Sequence, residues 1–264
     1  MFRDFREKFV RAVQDATNAQ AERHEHEIAE LRREIAELRA VVAEQSAAFR
    51  PAIGEALYSA QRNMRHASER KATAESAEFV QEHMSTAREL GSPRETLEHA
   101  LSVAPQGGMA LEFGVYTGST LEVIAKLREE KPVYGFDSFD GLPEEWRAGF
   151  PAGTFATDQL PQIPGAELIV GIFDDTLEGF LAEHPGPVDF LHVDCDLYSS
   201  TETVLTQVGP RLHEGSVVVF DEYFNYPGWP EHEHKAWLEY VERTGTKFSY
   251  VGYTIDNEQV IVQL

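Results

Sequence analysis

The sequence predicts an α/β fold: a doubly wound, seven-stranded sheet with one antiparallel strand, preceded by an N-terminal helical, coiled-coil extension. Three observations predict it. From about residue 105 onward, short β-branched and aromatic runs alternate with helical patterns, as in a mainly parallel sheet with right-handed crossovers. One run leads into a glycine turn, Glu112-Phe113-Gly114-Val115-Tyr116-Thr117-Gly118-Ser119-Thr120, which makes the sheet Rossmann-like. Before residue 50, glycine is absent and apolar residues recur at heptad spacing.

Composition sets the outer limits. At 264 residues and 42% hydrophobic content, the chain can bury the core of one α/β domain and have length to spare. A formal net charge of −22 argues against nucleic acid, whose phosphates need clustered Lys and Arg. A single cysteine, Cys195, rules out an internal disulfide and a cysteine-rich zinc site. The charged, amphipathic N-terminus has no apolar core run of a signal peptide, and no apolar run reaches membrane-span length. A cytoplasmic protein is expected.

Three regions follow in order. In 1–50, Ile28, Leu31, Ile35, Leu38 and Val42 form an a/d seam, with Ile and Val at a and Leu at d, a combination that favours parallel dimers. Glu27 and Glu34 fall at g and Arg32 and Arg39 at e, so a parallel register pairs Glu27 with Arg32 and Glu34 with Arg39 across chains. A homodimer or higher oligomer through this helix is expected; an amphipathic helix folded onto its own domain is the other reading. Phe2, Phe5 and Phe9 extend an apolar stripe. Region 51–104 is read as a helical lead-in opened by Pro51-Ala52-Ile53-Gly54, with Gly91-Ser92-Pro93 as punctuation and Ser92 as a helix cap. Region 105–264 carries the sheet. Strands are expected at 110–113, 132–137, 168–170, 188–193, 216–220, 248–251 and 260–262, the last two as an antiparallel hairpin.

The glycine turn has two glycines four apart, where a dinucleotide-binding turn usually has three, and an acid two residues before the first. That pattern suits a nucleoside cofactor without phosphates, with Glu112 near the positive end of an amino-acid moiety. Gly114, Tyr116, Gly118 and Ser119 are the expected turn contacts, and the following helix start offers free N–H groups. Asp137, ending the next strand, is the expected ribose ligand. Together, Glu112 and Asp137 favour S-adenosylmethionine over NAD.

Two later strands end in acids: Asp194-Cys195-Asp196 after 188–193, and Asp221-Glu222 after 216–220. Carboxylates converging on one sheet edge repel unless a cation separates them, and an all-oxygen set favours Mg²⁺. Asp194, Asp221 and Glu222 are the expected ligands, with Asp194 also catalytic in holding the acceptor through the metal. Asp196 is the expected general base. The bland alternative is that these acids cap the following helices.

Taken in order, E-F-G-V-Y-T-G-S-T, G-F-D-S-F-D-G-L-P, H-V-D-C-D-L-Y-S-S-T and F-D-E-Y resemble the macrocin O-methyltransferase family, over roughly residues 105–262. The resemblance implies a class I, S-adenosylmethionine-dependent enzyme, commonly Mg²⁺-requiring, that methylates sugar hydroxyls. It implies that Glu112, Gly114, Asp137 and Ser138 line the cofactor, that Asp194, Asp221 and Glu222 bind metal, and that Asp196 is the base. Gly171 to Leu177 resembles the family segment in which Phe173 or Asp174 contacts the adenine region. Glu222 stands where many relatives carry a second aspartate.

The expected function is therefore Mg²⁺-dependent O-methylation of a small hydroxylated acceptor, a sugar or related polyol. A coiled-coil assembly subunit with a degenerate fold, or an NAD-dependent oxidoreductase, are the alternatives. Trp229, in the loop after Glu222, is read as a sugar-stacking residue or a core anchor. Tyr116 and Trp146 are read as shaping the substrate mouth, His232 and His234 as solvated or capping rather than catalytic or metal-binding, His192 as packed or as backing the acid ligands, and Cys195 as inert.

Overall fold

In a computed structural model, residues 2–129 and 131–264 are described, with the side chains of 2–5 outside that set, so the stripe expectation at Phe2 and Phe5 lies outside the described residues. The chain forms two compact units, Met1–His66 and Ala67–Leu264.

The first unit is dominated by one helix, α1 (Phe2–Arg62), of 61 residues. At 1.5 Å per residue it is about 90 Å long. It continues through Pro51 and Gly54, where the composition shifts, because helix formers such as Ala47, Ala48, Ala52 and Glu55 flank them. The seam residues Ile28, Leu31, Ile35 and Leu38 are 48–65% exposed.

The second unit begins in α2 (Met64–His83), followed by β1 (Arg88–Leu90) and α3 (Pro93–Val103), capped by the Ser92 side chain as its sequence predicts. Then come β2 (Met109–Phe113), α4 (Ser119–Arg128), β3 (Val133–Asp137), β4 (Glu167–Val170), α5 (Phe173–Glu183), β5 (Val188–Val193), α6 (Tyr198–Val208), β6 (Leu212–Phe220), α7 (Glu233–Thr244), β7 (Ser249–Thr254) and β8 (Val260–Gln263). The sheet order is β1-β7-β8-β6-β5-β2-β3-β4. Strand β8 runs antiparallel to both neighbours and is the one antiparallel member, as expected.

The expected count of seven strands is corrected to eight among the described residues. Arg88–Leu90, in the stretch read as helical, pairs in parallel with Gly252–Thr254. Only Leu90 of its three residues is buried, so no alternation marks it; the pairing itself makes it a strand.

Strands β2 and β5 are buried along their whole length, and apart from Glu112 in β2 and Asp189 and His192 in β5 they are apolar without alternation. The chain order reverses between them: β3 and β4 extend from one side of β2, and β5 and β6 from the other. A crevice outside the carboxyl ends at such a reversal is where open α/β sheets bind ligands. Backbone bonds carry the ladder one residue past those ends: Gly114 N to Phe136 O (2.9 Å), Asp194 N to Phe113 O (2.8 Å) and Asp221 N to Val193 O (2.9 Å). The motif residues are thereby brought to one edge. No helix among the described residues is long and apolar enough to cross a membrane.

Candidate active site

The glycine turn is built by backbone conformation. Gly114 (φ +94°) and Gly118 (φ +82°) lie in the left-handed region, where a side chain is strained. A Cβ on Gly114 would also collide with the Asp194 carbonyl, so the two strand ends touch through glycine. Asp137 locks the turn from the next strand. Its Oδ2 accepts the N–H groups of Val115 and Tyr116, both at 2.8 Å, and its Oδ1 accepts that of Phe139 at 2.8 Å.

Beside the turn lies a cavity of about 350 Å³. Gly114, Tyr116, Ser119, Asp137, Ser138 and Phe173 line it, together with Asp194, Asp196 and Glu222. The segment between β3 and β4 supplies Leu142, Trp146, Arg147, Phe150 and Phe155.

Three sequence-expected cofactor residues do not line this cavity. Glu112 is fully buried and turns to His192, with Oε1 2.8 Å from Nδ1. In the parallel ladder Glu112 sits directly opposite His192, so its side chain has a partner inside the sheet. Gly118 acts through its conformation, packed against Ile163 and Pro161. Asp174 accepts a bond from the Thr203 hydroxyl (3.2 Å) on α6, because successive residues in the first turn of α5 point about 100° apart and only Phe173 faces inward.

The acids do converge. Asp194, Asp221 and Glu222 each offer an oxygen within 4.8 Å of the others. Burial, then the nearby Asp221 charge, holds the carboxyl groups of Asp194 and Glu222 well above the usual range. Burial acts the same way on Asp221, but the bond and charge of His192 outweigh it and leave its pKa lowered. Burial opposes protonation of His192, yet its contacts with Asp221 and with Glu112, its partner in the parallel ladder, raise its pKa well above normal. Glu222 is about nine-tenths buried, and its Oε2 has no hydrogen-bond partner. A buried carboxylate oxygen left unpaired among like charges is costly, and a hard divalent cation would relieve it. The donor set therefore fits Mg²⁺.

Asp196 is only 6% exposed and has φ +62°, an uncommon backbone state for a non-glycine residue. Burial raises its carboxyl pKa to about 7, against the pull of Arg147 and with the help of Asp221. That is the range a general base needs near neutrality.

Two residues that shape the site lie outside the sequence expectations. Arg147 is the cavity's one cationic lining residue among those described. Its guanidinium stacks on Trp146 at 3.8 Å and Tyr226 at 4.5 Å and pairs with Glu258 at 3.1 Å. The signal was present, since Arg147 is the only Lys or Arg between Lys131 and Arg211. Glu233, fully buried at the start of α7, accepts the Glu222 N–H at 3.0 Å and so sets the backbone behind the acids.

Trp229 is the core anchor of its two readings. It is 5% exposed, with its ring 5.6 Å from Phe79 of α2. His234 is packed rather than solvated: it is buried beside Phe79 and Trp229, and burial lowers its pKa to about 4. Cys195 is buried, and burial pushes its thiol pKa well up, as an inert thiol requires.

Residues 111–223 match the family model of a methyltransferase domain. Over 147 residues the chain is 29% identical to the 8-demethyl-8-(2,3-dimethoxy-alpha-L-rhamnosyl)-tetracenomycin-C 4'-O-methyltransferase of Streptomyces olivaceus, an alignment covering 44% of this chain and 53% of that enzyme. The chain thus spans about half the length of that curated relative. Among solved structures it is similar to CalS11, a calicheamicin methyltransferase, with a TM-score of 0.50 and 26% identity, over 64% of this chain and 76% of that one.

Proposed function

We propose that this protein is an S-adenosylmethionine-dependent O-methyltransferase that methylates a hydroxyl of a sugar or related polyol, with Mg²⁺ held by Asp194, Asp221 and Glu222. One observation carries the reading: a single cavity is lined both by the glycine turn with Asp137 and by the carboxylates Asp194, Asp196 and Glu222. The motif order that resembles the macrocin O-methyltransferase family, and the sugar O-methylation for which the Streptomyces olivaceus relative is named, support the sugar hydroxyl.

Bound S-adenosylmethionine supplies the methyl group, and a bound divalent cation lowers the pKa of an adjacent hydroxyl. The chain's own residues do the rest. Gly114 lets the backbone come close to the nucleoside, and Asp137 keeps the turn in place before any ligand arrives. Asp196 takes the proton that the acceptor hydroxyl loses as its oxygen is methylated. Trp146, Phe150 and Phe155 offer apolar faces for the C–H face of a sugar and displace water from the cavity. The surrounding carboxylates disfavour an anionic acceptor, so a neutral polyol fits best.

Calorimetric titration of S-adenosylhomocysteine, with and without Mg²⁺, tests the reading. One-to-one binding at micromolar affinity is the expected result. No heat of binding in either condition would overturn it.

The N-terminal helix supports a second part of the same reading, parallel homodimerisation through α1. Its seam is exposed along Ile28, Leu31, Ile35 and Leu38, and the g and e positions carry complementary charge. Replacing Leu31 and Leu38 together by glutamate should convert a dimer to a monomer by light scattering and leave S-adenosylhomocysteine affinity unchanged. An unaltered mass would rule the seam out as the interface.

A further inference from the structure

A row of three polar groups runs from strand β2 through β5 to the end of β6. Glu112 on β2 and His192 on β5 are directly paired in the parallel ladder and are 0% and 1% exposed. On the other side of the imidazole, Asp221 follows β6, its N–H bonded to Val193 O at 2.9 Å. Nδ1 of His192 lies 2.8 Å from Glu112 Oε1, and Nε2 lies 3.5 Å from Asp221 Oδ1. Both ring nitrogens thus face carboxylates, so His192 is engaged rather than open to a further ligand.

Such a row is expensive in a β-core. Apolar residues of similar volume at these positions would be as stable or more so, so packing alone does not account for it. What the row does geometrically is hold one oxygen of Asp221 toward the sheet. The remaining Asp221 oxygen is then directed by a side chain that is itself held by Glu112. Histidines and carboxylates that orient ligands in this way tune metal sites.

We propose that Glu112 and His192 are positioning residues for the carboxylate cluster: His192, oriented by Glu112, fixes the Asp221 carboxylate for cation binding beside Asp194 and Glu222. This rests on the cation-binding reading of that cluster. It also gives the acid of the E-x-G-x-x-x-G turn a role in the metal site.

The test uses Mn²⁺ as the probe, with free ion counted by electron paramagnetic resonance, on full-length wild type and the variants His192→Leu, His192→Gln and Glu112→Gln. S-adenosylhomocysteine affinity is measured on each as the check that the cavity is intact. The expected result is a 10- to 100-fold loss of Mn²⁺ affinity in His192→Leu. His192→Gln, which keeps an N–H donor toward Asp221, should recover part of that loss, and Glu112→Gln should fall between it and wild type. S-adenosylhomocysteine affinity should stay within about twofold throughout, as it involves other groups. If His192→Leu does not fold, the contrast between His192→Gln and Glu112→Gln carries the test. Wild-type Mn²⁺ affinity in every folded variant would overturn the positioning role alone. Failure of the wild type to bind Mn²⁺ would overturn the cation reading, and this role with it.

Discussion

Asp196→Asn is expected to lower kcat by about 10²- to 10⁴-fold, the usual worth of a positioned general base. Asparagine keeps the shape of the side chain and tolerates the left-handed backbone at φ +62°, so the loop after β5 should survive the exchange. The proton acceptor is what disappears. S-adenosylhomocysteine affinity should remain within about twofold, since the glycine turn and Asp137 are untouched. Asp194→Asn separates the roles: it should cost cation affinity as well as turnover, whereas Asp196→Asn should cost turnover alone. Full activity in Asp196→Asn, measured at saturating acceptor, would remove Asp196 from the mechanism.

Gly114→Ala should be equally damaging by another route. The residue has φ +94°, and an added Cβ would run into the backbone carbonyl of Asp194, which cannot rotate away as a side-chain tip can. Strain of this kind costs about 3 kcal/mol. For a unit of this size that is a fall in Tm of roughly 6–12 °C. Because the collision lies where the turn meets the acid-bearing strand end, S-adenosylhomocysteine binding should fall with it. Gly179→Ala, inside α5 with nothing within 4 Å of the added methyl, is the matched control and should be neutral or slightly stabilising. A Gly114→Ala variant with unchanged Tm and affinity would contradict the packing described for the turn.

The parts of the site legible in the sequence are those fixed by strand ends. Gly114, Asp137, Asp194 and Glu222 each follow an apolar run, and a run that stops at a sheet's carboxyl edge delivers its last residues to the crevice whatever the rest of the chain does. Asp221 joins the cluster for the same reason. Where the outcome depended on a partner distant in sequence, local pattern was not enough. Glu112 looks inward because His192, 80 residues later, lies opposite it in the ladder. Trp229 is an anchor because Phe79 packs against it from α2. Strand β1 exists because β7 offers it an edge, 164 residues on for the bond from Tyr253 to Glu89. Asp174 and Phe173 illustrate a finer limit, since a one-residue step on a helix start separates the cavity wall from the Thr203 contact.

Strand order within the sheet has a consequence for how the protein is made. Strand β8, the last of the sheet in sequence, lies between β6 and β7 and pairs with both. During synthesis, β6 therefore waits with one edge unpaired until residues 260–263 leave the ribosome, and β7 with β1 has no connection to the other strands before then. At about 5–20 residues per second, the roughly 40 residues from the end of β6 to β8 leave that apolar edge open for a few seconds. Such an edge is a ready template for another chain. The nascent protein, unlike the finished one, is thus exposed to mispairing over a defined interval, and slowing translation between β6 and β8 would lengthen it.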